Sequence, residues 1–287
     1  MDGFAAGQIL AVACFSFAGI LFAAEGRRRL GEGGSRRALL FLLLYPTAFY
    51  LLAMYSESLF LLLALAAFRE ARRDRPAAAA LLGLLAGMTR LTALALALPL
   101  AIEAFSASRT PELPARSDRR ALRRGLLAGV APVAGVLLWV LGVGLAAGEP
   151  GLFFRVQEAW QRGTSPLIGV WRFVELPFDR IVHGQTLDHP ALFLDYANFF
   201  LFGVIAAFQV RRRRFSDAAW TAGALLICVA TGTAASLSRY VLVVYPAFYA
   251  LAEIFQSRPR LRLAWWIGSA TLLLAAEAAF VHWRWVA

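Results

Sequence analysis

Three short segments of this 287-residue chain carry side chains that could do chemistry together. The first reads Tyr55, Ser56, Glu57, Ser58, the second Thr89, Arg90, and the third Ser238, Arg239, Tyr240. Each sits within or beside an apolar run, where an ionisable group is expensive and by default signals function. A carboxylate with two arginines suits a site that must deprotonate a hydroxyl while holding a phosphate. The planar guanidinium forks onto phosphate oxygens, and the carboxylate can accept the proton. The plainer reading of the same residues is a structural Arg–Glu pair inside a helix bundle.

The elements that must position these residues are membrane helices. The chain is 60% hydrophobic, with a mean hydropathy of +0.63, well above the composition of soluble domains. Apolar runs at 4–24, 125–147, 191–210, 218–236, 240–255 and 263–282 approach or exceed the ~20 residues a helix needs to cross ~30 Å of hydrocarbon. The expected fold is therefore all-α: one polytopic transmembrane domain over 1–287. The start, MDGF, has no basic segment and no small-residue cleavage site, so the first run is expected to stay as a helix. Cys14 and Cys228 fall inside apolar runs and read as small core residues.

The formal charge of +11 comes from arginine alone, as the chain has no lysine. Its clusters, at 27–37, 69–75, 109–124, 211–214 and 258–262, lie between apolar runs. The positive-inside rule puts them in the cytoplasm, and without interleaved aromatics or a binding motif they do not argue for nucleic acid. Two clusters then conflict, because only the apolar stretch 77–105 separates 69–75 from 109–124. One crossing would leave them on opposite sides, so the stretch is expected to enter and return as a re-entrant pair of half-helices with Thr89 and Arg90 at its apex. Half-helices of about 13 residues rise ~20 Å, short of a ~30 Å core. With that pair, the N-terminus, Glu57, the loop 149–190 and Arg239 all come to the outer face.

Other polar residues carry weaker signals. Pro46, in an expected helix 39–54, should kink it, as a tolerated membrane proline or to open a cavity. The outer loop holds amphipathic stretches at 152–162 and 167–181, with Phe153, Phe154, Trp160, Trp171 and Phe178 among charges. They suit an interfacial anchor or a lid. His183, Asp188 and His189 fit no metal-ligand spacing, and no metal is assigned. Glu103, Glu253 and Glu277 read as packing or interface carboxylates.

The runs YPTAFYLLAMYSESLFLLLALAAF, LLGLLAGMTRLTALALALPL and SRYVLVVYPAFYALA, in that order, resemble the PIG-V family of mannosyltransferases. Members read like YTESLF, LTR and RY at these points, and the resemblance covers nearly the whole chain. It implies a GT-C-like fold and an inverting membrane glycosyltransferase. The donor would be polyprenyl-phosphate mannose and the acceptor a membrane lipid or glycan, with transfer on the extracytoplasmic face and no assigned cofactor. It also implies roles: Glu57 catalytic, Arg90 and Arg239 on the departing phosphate, and Tyr55, Ser56, Ser58, Thr89 and Tyr240 lining the pocket. The lysine-free chain with short loops looks bacterial, which places it in an inner membrane. The resemblance departs at the start, where family members carry a first-loop Trp-Asp after an initial helix. Asp2, Gly3 and Phe4 do not match it. The expectation is a shortened, weakly active enzyme; the alternative is a non-catalytic partner subunit or a transporter-like bundle. A transporter would show a repeat of its interrupted helices, and only the one at Arg90 is expected.

Overall fold

The structure is a computed structural model that describes residues 3–108, 114–159, 166–183 and 190–282. Secondary structure among them is entirely helical. Five helical segments are long and apolar enough to cross a membrane, at 3–43, 91–108, 118–146, 191–211 and 259–281, which fits an integral multi-pass membrane protein. Their outward faces carry Phe4, Ile9, Phe17, Leu137, Leu141, Ile267 and Leu274, all exposed, as a lipid-facing surface requires.

Helix α1 (Gly3–Leu43) is broken at Gly31, whose φ of 69° and ψ of 179° only glycine adopts readily. The arm beyond Gly31 folds back beside the first, where the Ser35 hydroxyl donates to the Ala23 carbonyl at 2.9 Å. The helix expected over 39–54 instead stops at Leu43. Pro46 explains the stop, because its ring clashes with the carbonyl of Leu42 and biases Tyr45 away from helical angles. A short 3-10 turn, Ala48–Leu51, follows.

Helix α2 (Glu57–Arg72) has an acid in its first turn and Arg69 and Arg72 in its last, matching its dipole at both ends. Helix α3 (Pro76–Thr89) opens on proline at a position where no N–H is needed. It ends at Arg90, which is extended at φ −154° and ψ 142°. A 3-10 segment (Leu91–Leu96) leads into α4 (Ala97–Ser108). Helix α4 lies beside α3 in the opposite direction. A Cβ on Gly83 would meet Leu100 at 3.2 Å, and Asp74, just before α3, accepts from Ser108, the last residue of α4, at 2.6 Å.

Both helices pack on the long α5 (Pro114–Ala146). At Gly87 and Gly135 the α3 and α5 backbones touch so closely that a Cβ on either would collide with the other's main chain. Small residues permit that approach in membrane bundles. Beyond α5 come α6 (Leu152–Ala159), α7 (Pro166–Val182), α8 (Pro190–Arg211) and α9 (Phe215–Thr231), the last closed by left-handed Gly232 at φ 80°. The run expected to cross as one helix over 240–255 is split into α10 (Leu237–Leu242) and α11 (Tyr245–Ile254), with Pro246 in the first turn of α11. The C-terminal half therefore has an interrupted helix of its own. Helix α12 (Pro259–Val281) closes the described chain.

The ion pairs sort these helices into two ends. At one end Glu25 accepts from Arg29 at 2.8 Å and Arg72 at 2.7 Å, and Arg72 reaches Glu103 at 3.0 Å. Arg29 also reaches Asp217 at 2.7 Å, and Arg214 reaches Glu253 at 2.6 Å. Glu57 begins α2 and Arg72 ends it, so the opposite end lies ~24 Å away along that helix, at 1.5 Å per residue.

Candidate functional site

At the Glu57 end, two breaks in the helices bring arginines to one carboxylate. Arg90 leaves the end of α3 and Arg239 lies on the six-residue α10, and both pair with Glu57. Glu57 is fully buried, whereas the arginine side chains are 8% and 18% exposed. The carboxylate therefore sits behind the arginines and they face outward. Tyr50 and Tyr55 present their rings to the Arg239 guanidinium at 4.7 and 4.3 Å, and the Arg90 guanidinium lies 5.8 Å from the Tyr240 ring centre. Aromatic faces of this kind stabilise a cation and restrict its rotamers.

The arginines line a cavity of about 320 Å³, near the small end of ligand sites. Ser56, Thr89, Thr92, Ser236 and Tyr240 share its wall with them, as do Trp139 of α5, Phe153, Val156 and Gln157 of α6, and Ile227 and Thr231 of α9. Helix α6 is thus a wall of the cavity. Helix α7 packs elsewhere: Tyr196 donates to the Phe173 carbonyl at 2.7 Å, and the Phe173 ring centre lies 4.8 Å from that of Phe199. Two arginines thus share one glutamate, and no carboxylate lines the cavity among the described residues.

Most of the segments singled out in the sequence meet here. Ser56, Thr89, Arg90, Arg239 and Tyr240 line the cavity, Glu57 braces its arginines, and Tyr55 stacks on Arg239. The Thr89 hydroxyl is turned back to the Ala86 carbonyl at 2.7 Å. Ser58 is fully buried on α2 and does not line the cavity. His183 contacts Asp179 at 3.1 Å, and Asp188 and His189 lie outside the described residues.

Sequence reasoning missed Asp195 and Asn198 on α8. Asp195 accepts from the backbone N–H groups of Ser236 and Ser238, at 2.9 and 2.8 Å, and from the Ser238 hydroxyl at 2.5 Å. The Asn198 amide donates to the Ser238 hydroxyl at 3.0 Å and its carbonyl accepts from Tyr45 at 2.8 Å. The signal was present, since both residues interrupt the apolar run 191–210.

A second cavity, of about 340 Å³, opens at the other end beside Arg29, Glu103, Arg214 and Asp217. Arg29 and Arg214 are already paired there with Asp217 and Glu253. Compared with protein-family models, curated proteins and solved structures, the chain matches none.

Proposed function

We propose that the chain is a membrane glycosyltransferase that takes mannose from a polyprenyl-phosphate donor at the extracytoplasmic face. The observation that carries the reading is the convergence of Arg90 and Arg239 on one small cavity, in excess of the carboxylate that pairs them. Such a cavity complements a lipid-linked phosphate, which brings its own leaving group and needs no nucleotide-binding domain. The re-entrant pair belongs to the same proposal. The Asp74–Ser108 bond and the 14 residues of α3 support a hairpin that enters and leaves on the arginine-rich side.

In the proposed reaction the acceptor hydroxyl oxygen bonds to the anomeric carbon as the bond from that carbon to the phosphate oxygen breaks, with inversion. The phosphate keeps the electron pair, and Arg90 and Arg239 stabilise the charge it gains. Glu57, behind the arginines, keeps both guanidiniums aimed at the phosphate, and the departing phosphate takes up the proton that the acceptor hydroxyl loses. Tyr240, Trp139 and Phe153 offer flat walls beside the sugar.

The test is transfer from radiolabelled polyprenyl-phosphate mannose to membrane lipids by the reconstituted chain. Arg90→Gln and Arg239→Gln should each reduce the rate on the order of 10²–10³-fold, the cost of losing one group that stabilises developing charge. A donor neither bound nor consumed would overturn the reading. A second reading, a non-catalytic subunit that binds a lipid phosphate, is favoured by the absence of a carboxylate from the cavity wall among the described residues. It predicts donor binding without turnover.

A further inference from the structure

We propose that Asp195 is a positioning residue that aims Arg239 into the cavity, an inference that rests on the glycosyl-phosphate reading of that cavity. Arg239 lies on a helix of only six residues, which offers little stiffness of its own. The turn before it is strained: Ser236 holds a left-handed φ of 70°, which a residue with a Cβ adopts at a cost. Something must hold that turn.

Asp195, 2% exposed on α8, does so with both oxygens. One accepts from Ser236 N–H at 2.9 Å, and the other from the Ser238 N–H at 2.8 Å and its hydroxyl at 2.5 Å. Every remaining polar atom of Ser238 is held as well. Asn198 donates to its hydroxyl at 3.0 Å, and the Thr47 hydroxyl donates to its carbonyl at 3.0 Å. Ser238 is the residue immediately before Arg239, so its fixed backbone sets the direction in which the guanidinium leaves. Only a carboxylate meets this demand, because all three groups facing Asp195 donate. An asparagine there would turn its own N–H₂ toward one of them and leave two buried donors opposed.

The experiment uses the full chain in lipid nanodiscs and polyprenyl monophosphate as the probe. Wild type, Asp195→Asn, Arg239→Gln and the double variant are compared for affinity and thermal unfolding. Asp195→Asn and Arg239→Gln should each weaken binding on the order of tenfold, as expected for losing hydrogen bonds to a charged group. The double variant should bind no worse than Arg239→Gln alone, since Asp195 acts only through Arg239. Unchanged affinity in Asp195→Asn, or a loss that adds to that of Arg239→Gln, would overturn the proposal. If Asp195→Asn fails to fold, Ser238→Ala removes one of the three bonds. It should give a smaller loss that again disappears in the Arg239→Gln background, and persistence of the loss would count against the proposal. If wild type does not bind the probe, the glycosyl-phosphate reading fails, and the melting temperatures decide the rest: non-additive shifts keep the positioning role and additive shifts remove it.

Discussion

Glu57 is outnumbered, and that asymmetry separates its structural work from any chemistry. Removing it leaves two like charges facing one another with no counter-ion, whereas removing either arginine leaves a balanced pair. Glu57→Gln should therefore destabilise the protein by about 3–5 kcal/mol, the usual cost of breaking a buried pair. Arg90→Gln and Arg239→Gln should cost clearly less. Phosphate binding should rank the other way, with the arginine variants the weaker binders. Thermal unfolding in detergent beside a binding titration checks both orders, and equal melting temperatures for the three variants would contradict the first. These residues were legible in the sequence because a charge in an apolar run stands out. Their pairing was not, since spacing says nothing about which distant carboxylate a guanidinium will find. Asp195 obeys the same rule, but its partners are two backbone N–H groups and the uncharged Ser238 hydroxyl, so no opposite charge in the sequence points to it.

At the scale of elements, the chemistry gathers where helices stop. Arg90 follows the end of α3, Arg239 lies on the short helix before the 243–244 break, and Tyr50 belongs to the 3-10 turn behind Pro46. The apolar runs announced most helices. They did not announce that Pro46 and Pro246 end helices where a continuous run suggests one, because hydropathy averages over a proline whose effect is local. The α3–α4 hairpin came from counting charge clusters rather than from hydropathy, which admits 91–108 as a span of its own. Asp74 fastens the open end of the hairpin. Partial burial pushes its carboxyl up, but hydrogen bonds from Ser108 and Arg124 outweigh that and hold it below the ordinary range. The sign follows: this clamp adds stability above the unfolded pKa of about 4 and loses it as pH falls through the lower folded value. A single cysteine at position 89, in a chain lacking Cys14 and Cys228, should react with an impermeant thiol reagent from outside, and one at position 117 only from inside. Outside labelling at 117 would refute the re-entrant hairpin.

For the molecule as a whole, the arrangement of charge at the two ends carries the orientation. Arg29, Arg72 and Arg214 lie in a paired network at one end with the arginine-rich turns, and Arg90 and Arg239 stand at the other around a cavity. On the proposed reading, the positive-inside rule orients the first end to the cytoplasm. If the hairpin returns to its own side, the remaining elements cross an even number of times, and both ends of the described chain emerge outside with the cavity. That orientation is the condition for meeting a sugar carried on an extracytoplasmic lipid phosphate. Alkaline phosphatase fused after His282 should be active, because it matures only outside the cytoplasm, whereas a fluorescent protein inserted at Arg213 should fold and fluoresce inside. A fluorescent fusion after His282 with inactive phosphatase there would reverse the sidedness. The Glu57 end would then face the cytoplasm, out of reach of an outward-displayed donor. The arginines would keep their geometry, and the function assigned to them would have to change to one served by a cytoplasmic phosphate.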